Sequence, residues 1–251
     1  GYSITEQLEK SKAPVVKRFE AHMFIAYFQS FTNTYAPFET LKAIYEEALA
    51  VPDVVGMAIG TRPDCISDKV LDLLQSYAER HLIWIEYGLQ SAHDPTLERI
   101  NRGHDVASFE KAVRATAGRG IKIGTHMILG LPGETRREML ATADFIARLP
   151  VDGIKLHLLY VIKGTALERL HRDGRYRCLD RQSYIDLVCD VLERLPEEMV
   201  IQRLTGDPHK HELVAPQWAL EKNDNVALIR QRLEERDTWQ GKRLANRSIR
   251  S

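Results

Sequence analysis

Residues 120–140 read GIKIGTHMILGLPGETRREML. The apolar run from Ile121 to Leu129, rich in Ile and flanked by glycines, has the pattern of a strand covered on both faces. Behind it, Thr135 and Glu138 have the T-x-x-E spacing of a capping box, and Met139, Ala143, Ile146 and Ala147 share one helical face. Between strand and helix stands Gly130-Leu131-Pro132-Gly133-Glu134. Two glycines let the backbone come close to something, and the loop behind the C-terminal end of a parallel strand is where α/β proteins bind ligands. The same glycines would also serve a tight turn with no ligand.

Working outward, the alternation of strand and helix repeats along the chain. "HMFIAYFQ" precedes a helical pattern over 37–50, "VVGMAIGT" one over 67–80, and "LIWIEYGLQ" one over 94–119. "IKIGTHMILG" precedes 135–149, and "GIKLHLLYVI" precedes 164–171 and 180–194. Five such units make a parallel sheet with helices outside, either a closed or partial barrel or, failing that, a Rossmann sheet. After Leu195 the pattern gives one more strand, an irregular loop and a helix from about Asn225 to Arg236. We read an α/β chain with its barrel over residues 1–195 and a C-terminal extension over 196–251.

Bulk properties narrow the function. Lys plus Arg and Asp plus Glu each number 35, so composition argues for no nucleic-acid, membrane or acidic partner. Three scattered cysteines, Cys65, Cys178 and Cys189, fit reduced thiols rather than a disulfide framework. No apolar run reaches membrane-spanning length and the N-terminus lacks a signal-peptide core, so a cytoplasmic protein is expected. The closing "GKRLANRSIRS" reads as a solvated tail rather than a nucleic-acid arm.

In a barrel, function belongs at the strand C-terminal ends. The first two offer "YFQSFTNTYAP" and then Thr61, Arg62 and Asp64. The third has Trp84, Glu86, Gly88 and Gln90 on one face, and a carboxylate inside an apolar strand is costly unless partnered, which marks Glu86. The fourth presents His126 in parity with Gly124, Ile128 and Gly130, and His157 lies one strand on.

Taken together, "YFQSFTNTYAP", "IGTRPD", "GLQS…INRGH", "ILGLPGE" and "RLTGDPHKHELVAPQW" resemble the radical S-adenosylmethionine (SAM) superfamily. The resemblance is strongest to its branch with the Elongator catalytic subunit, coproporphyrinogen dehydrogenase and an uncharacterised bacterial family related to the Elongator subunit. It implies a partial (β/α)6 TIM-like barrel with SAM lying across the strand ends. By that resemblance the Tyr27-Phe28-Gln29-Ser30 end replaces the Gly-Gly-Glu segment whose backbone binds the SAM amino group. Gln90 faces the ribose and Arg102 the methionine carboxylate, for which a guanidinium fork is suited. Gly130 and Pro132 form the adenine-side turn, and His126 stands where some relatives carry an Asp on the ribose hydroxyls. Thr61, Arg62 and Glu86 complete the implied cofactor-binding set.

The resemblance also implies a [4Fe–4S] cluster on a Cys-x3-Cys-x2-Cys loop after the first strand, and an electron donor such as a flavodoxin or ferredoxin. This sequence has no such loop and its first strand matches the second of the barrel, so the cluster ligands are expected upstream of Gly1. The expectation is a radical SAM enzyme when complete, with residues 1–251 alone inactive and holding no metal ligand. Two alternatives stand beside it: a SAM-binding or scaffold module without radical chemistry, and a barrel hydrolase with His126, His157 and Glu86 around Zn²⁺.

Overall fold

The computed structural model describes residues 2–244. The basic tail reading falls largely on residues 245–251, outside the described part. The first helix, α1 (Ile4–Phe19), is started by a capping box in which Ser3 and Glu6 satisfy each other's backbone amides. Then follow β1 (Phe24–Phe28), α2 (Phe38–Leu49), β2 (Val54–Thr61), α3 (Asp68–Ala78) and β3 (Leu82–Gln90). Next come α4 (Asp94–Arg99), α5 (Val106–Thr116), β4 (Lys122–Leu129), α6 (Arg136–Ile146) and β5 (Gly153–Leu158). The chain ends with β6 (Val161–Ile162), α7 (Ala166–Arg172), α8 (Arg181–Leu192), β7 (Val200–Arg203), β8 (Leu213–Ala215) and α9 (Lys222–Glu235).

Six strands form one sheet in the order β1-β2-β3-β4-β5-β7. The pairs β1–β2, β2–β3 and β5–β7 are parallel. Strands joined through intervening helices and placed side by side in chain order give the α/β arrangement that the alternation anticipates.

The chain divides into two compact units. One comprises Gly1–Gly88 with Ala107–Gly124, the other Leu89–Val106 with Thr125–Ser251. In the first, Met57, Ile59, Ile83, Ile85 and Tyr87 are all buried to within 1 %. Tyr87 packs edge-on to Phe109 of α5 at 6.5 Å and its hydroxyl bonds that of Thr116 at 2.8 Å. In the second, Met127, Leu129, Ile154, Leu156 and Leu158 form the covered side of β4 and β5, beside Ile146 of α6 and Val188 of α8. His126, Lys155 and His157 alternate with them and are half-buried on the opposite face.

Two elements differ from the sequence expectation. The helical pattern over 94–119 is two helices: Asn101 (φ 52°) and Gly103 (φ 76°) take left-handed conformations that end α4, and the Asp94 carboxylate then accepts from the Val106 amide at 2.8 Å. The apolar "GIKLHLLYVI" is not one strand but β5 and β6. β6 leaves the main sheet and pairs antiparallel with β8 in a sheet of two strands. β7 is the sixth strand of the main sheet and lies beyond residue 195.

Candidate functional site

In the first unit the small residues Ala58 and Gly60 of β2 leave room for Tyr27 of β1 to reach over to β3, and its hydroxyl donates to Glu86 Oε2 at 2.8 Å. Gly60 and Glu86 are register partners, as are Tyr27 and Ala58. Glu86 is only 3 % exposed, so the phenol helps offset the burial of its carboxylate. The sequence singled out Glu86 but not Tyr27 as its partner. The pair of small residues on β2 was the available signal.

The loop after β1 is held by Asn33, whose side-chain amide donates to the carbonyls of Phe28, Ser30 and Gly60 at 3.2, 3.2 and 2.9 Å. Within it Ser30 (φ 73°) and Phe31 (φ 60°) are both left-handed, a backbone that a Gly-Gly pair adopts without cost. Phe28 stacks edge-on to Tyr45 at 5.5 Å, while Gln29 and Ser30 are exposed. A cleft of about 460 Å³ beside β1 is lined by Phe28, Gln29, Asn33 and Tyr35 together with Gln7 and Ser11 of α1. Thr61 and Arg62 are held locally. Thr34 donates to the Cys65 carbonyl at 2.6 Å and its oxygen lies 2.6 Å from that of Thr61. Arg62 forks onto Asp64 at 2.9 and 2.5 Å.

In the second unit the ends of β3 and β4 are tied into one corner. Ser91 donates to Glu134 and accepts from the His93 amide at 3.1 Å. Thr142 of α6 accepts from the Ala92 amide at 3.0 Å, and Arg99 of α4 donates to the Pro132 carbonyl at 3.1 Å. Gln90, at the start of this corner, sits at φ 72° without being glycine. Arg102 follows α4, half-buried, its Nε donating to His104 Nε2 at 3.1 Å. The imidazole of His126 lies 5.2 Å from that of His157, centroid to centroid.

The glycines of the strand-to-helix turn answer first to the protein's own packing. A Cβ on Gly133 (φ 86°) would stand 1.6 Å from the Arg99 guanidinium, and one on Gly130 (φ 92°) 3.3 Å from Leu179. The Gly130 carbonyl accepts from the Tyr176 hydroxyl at 2.9 Å.

Glu134 is the least expected member of the corner. Burial pushes its carboxyl above the ordinary range, against the opposing pull of the Ser91 and Thr96 hydroxyls. A raised folded-state pKa contributes stability below the unfolded value and loses it as pH rises through the folded one. Glu134→Gln keeps an acceptor for Ser91 and removes the charge. Its stability should therefore match the parent in acid and exceed it at neutral pH, by up to about 1 kcal/mol given solvent screening. Urea unfolding at pH 4 and pH 7.5 checks this, and a variant less stable at the higher pH would refute it.

No three His, Cys, Asp or Glu side chains come together to hold a metal among the described residues. The zinc reading of His126, His157 and Glu86 thus has no ligand set. The cysteines do not fit a cluster either. Cys65, Cys178 and Cys189 belong to no group of three His, Cys, Asp or Glu among the described residues, and burial raises all three thiols above the usual value. Cys189 donates instead to the Ile229 carbonyl at 3.8 Å. The donor set for SAM is better matched, with an amide at Gln90 and a guanidinium at Arg102 in one unit. Among the described residues no helix is long and apolar enough to cross a membrane.

A parallel α/β sheet with polar side chains gathered at strand C-terminal ends is the layout of barrel enzymes. The model of the radical SAM superfamily matches residues 16–146, and that of the radical SAM C-terminal domain matches 151–235. The chain belongs to the radical SAM superfamily. It is 41 % identical to the uncharacterized protein YtqA of Bacillus subtilis over 94 % of its own length and 73 % of that protein's. It is 43 % identical to the uncharacterized protein MJ0486 of Methanocaldococcus jannaschii over 96 % of its length and 74 % of that protein's. Among solved structures, the Elp3 of Methanocaldococcus infernus with an N-terminal deletion superimposes with a TM-score of 0.73 at 20 % identity. That likeness covers 94 % of this chain and 58 % of the Elp3 chain. It shows the shared fold, a partial TIM-like barrel, and the chain spans little more than half of that Elp3.

Proposed function

We propose that the chain is the SAM-binding core of a radical SAM enzyme. In this reading SAM is cleaved reductively to methionine and a 5′-deoxyadenosyl radical that takes hydrogen from a substrate. A [4Fe–4S] cluster, when bound, supplies the electron, and a flavodoxin or ferredoxin replenishes it. Among the described residues Cys65, Cys178 and Cys189 do not come together as a ligand set for the cluster. What carries the proposal, beyond the family, is the tied corner of the second unit. Ser91–Glu134 and Arg99–Pro132 fix the Gln90 turn against the Gly130–Gly133 turn, so that ribose and carboxylate donors stand on one rigid support. Gln90 would hold the ribose, Arg102 the methionine carboxylate, and the Gly130-Leu131-Pro132 backbone the adenine.

The test is anaerobic reconstitution of residues 1–251, and of the same chain with whatever its reading frame encodes before Gly1, followed by assays of iron, sulfide and 5′-deoxyadenosine with dithionite. The longer protein should bind about four irons and cleave SAM, and the shorter should do neither. A longer protein that binds SAM without iron would instead favour a SAM-binding module without radical chemistry.

A further inference from the structure

We propose that the half-buried face of β5 and β7 bearing Lys155, His157 and Arg203 recognises an anionic group, a carboxylate or phosphate monoester, on a small-molecule substrate. The inference rests on the preceding proposal only in taking this face as the substrate side. Lys155 and His157 alternate with the fully buried Ile154, Leu156 and Leu158, and so lie on the face opposite the packed one. Arg203, the last residue of β7, is the register partner of Lys155, which in a parallel pair sets the two cations side by side on one face. The register slips between Ile154 and Lys155, so that two steps of β7, from Ile201 through Gln202 to Arg203, oppose one of β5. Such bulges re-aim side chains and gather near active sites.

The half-buried Arg203 side chain makes no ion pair or hydrogen bond among the described residues, unlike the guanidinium groups of Arg232 and Arg236, which grip carboxylates. A half-buried cation without a counter-charge is expensive, and a fixed fork of donors is suited to carboxylate or phosphate. The neighbouring acids are otherwise placed. Asp207 pairs with Lys222 at 2.7 Å, and Asp207 and Glu212 are exposed. Burial raises the Tyr160 phenol, with Arg203 pulling it down and Asp207 and Glu212 pushing it up, and a Cβ on Gly206, in the loop after β7, would stand 2.7 Å from its ring. The His157 ring lies 5.2 Å, centroid to centroid, from that of His126, the strand residue that the resemblance sets on the cofactor side, within the same unit.

The experiment titrates the whole chain with inorganic phosphate and, separately, with succinate, following amide and imidazole resonances. Saturable shifts at Lys155, His157 and Arg203 with at least one probe are expected, and the tighter probe identifies the source of the anion. Arg203→Gln should weaken that binding at least roughly tenfold, and Arg203→Lys should recover part of it. Absence of saturable shifts at these residues in the parent protein overturns the proposal without reliance on any variant. So does undiminished binding in both Arg203→Gln and Lys155→Gln, or binding of a structured RNA with neither small anion. Because the titration needs neither SAM nor cluster, its failure leaves the SAM-binding reading standing, and loss of SAM binding by the parent chain leaves the anion result standing.

Discussion

Replacing Arg102 with Ala should weaken SAM binding by about 2–3 kcal/mol, roughly 30- to 150-fold in Kd, because a carboxylate loses a charged two-donor partner. Arg102 stands just past α4, on the segment Leu89–Val106 that belongs with the second unit, and its Nε is steadied by His104 at 3.1 Å. Steadying matters, since a guanidinium already oriented loses less entropy on binding. Arg102→Lys should recover only part of the loss, because an ammonium cannot present the fork. Calorimetry on the anaerobic protein measures both variants. Unchanged affinity in Arg102→Ala would remove Arg102 from the cofactor site and leave Gln90 as the principal donor of the corner.

Glu193→Ala should cost about 3 kcal/mol of unfolding free energy at pH 7, since it takes the carboxylate out of a buried ion network. Glu193, 5 % exposed at the end of α8, accepts from Arg236 at 2.7 Å, from Thr238 at 2.9 Å and from Arg243 at 2.7 Å. Arg236 also reaches Asp190 at 2.6 Å, and Arg136 pairs with that same carboxylate. Burial alone would raise the Glu193 pKa, but Arg243, Thr238 and Arg236 outweigh it and hold the group below its ordinary 4.5. A depressed folded-state pKa contributes stability above the unfolded value and loses it as pH falls through the folded one. The difference between parent and variant should therefore narrow below about pH 4.5. Urea unfolding at pH 7 and pH 3.5 tests this, and a penalty that is the same at both would show that lost packing, not charge, sets the cost.

Much of the α/β order was legible because buried strands and one-sided helices leave different periods. β1 to β5 all lie within the apolar runs read as strands, and the Thr135–Glu138 capping box starts α6 where the spacing placed it. What escaped was decided by tertiary geometry. Nothing in Leu158-Leu159-Tyr160-Val161 marks a break in polarity, yet the Leu159 amide turns to the Leu129 carbonyl at 2.9 Å and the chain leaves the sheet. β8, three residues long, exists only because β6 is there to pair with it. At the site, parity gave the face of Glu86 and His126 but not their neighbours. The reach of Tyr27 over β2, and the bond from Ser91 to Glu134 across 43 residues, depend on which strands lie side by side. The two glycines of the turn are compatible with a ligand or with a tight turn alone, and nothing in their spacing signals that Arg99 and Leu179 fill the space at their Cβ positions.

The left-handed backbone of Gln90 also bears on how far this chain could be stabilised. A side chain at φ 72° costs on the order of 1 kcal/mol that glycine would not incur. Gln90→Gly would thus be a gain by the measure of folding alone and a loss by the measure of any ligand the amide holds. A chain selected only for thermal robustness would drift to glycine at this position. Keeping glutamine there holds the protein below its own stability optimum, and the strain is stored at the corner where the proposed cofactor would lie.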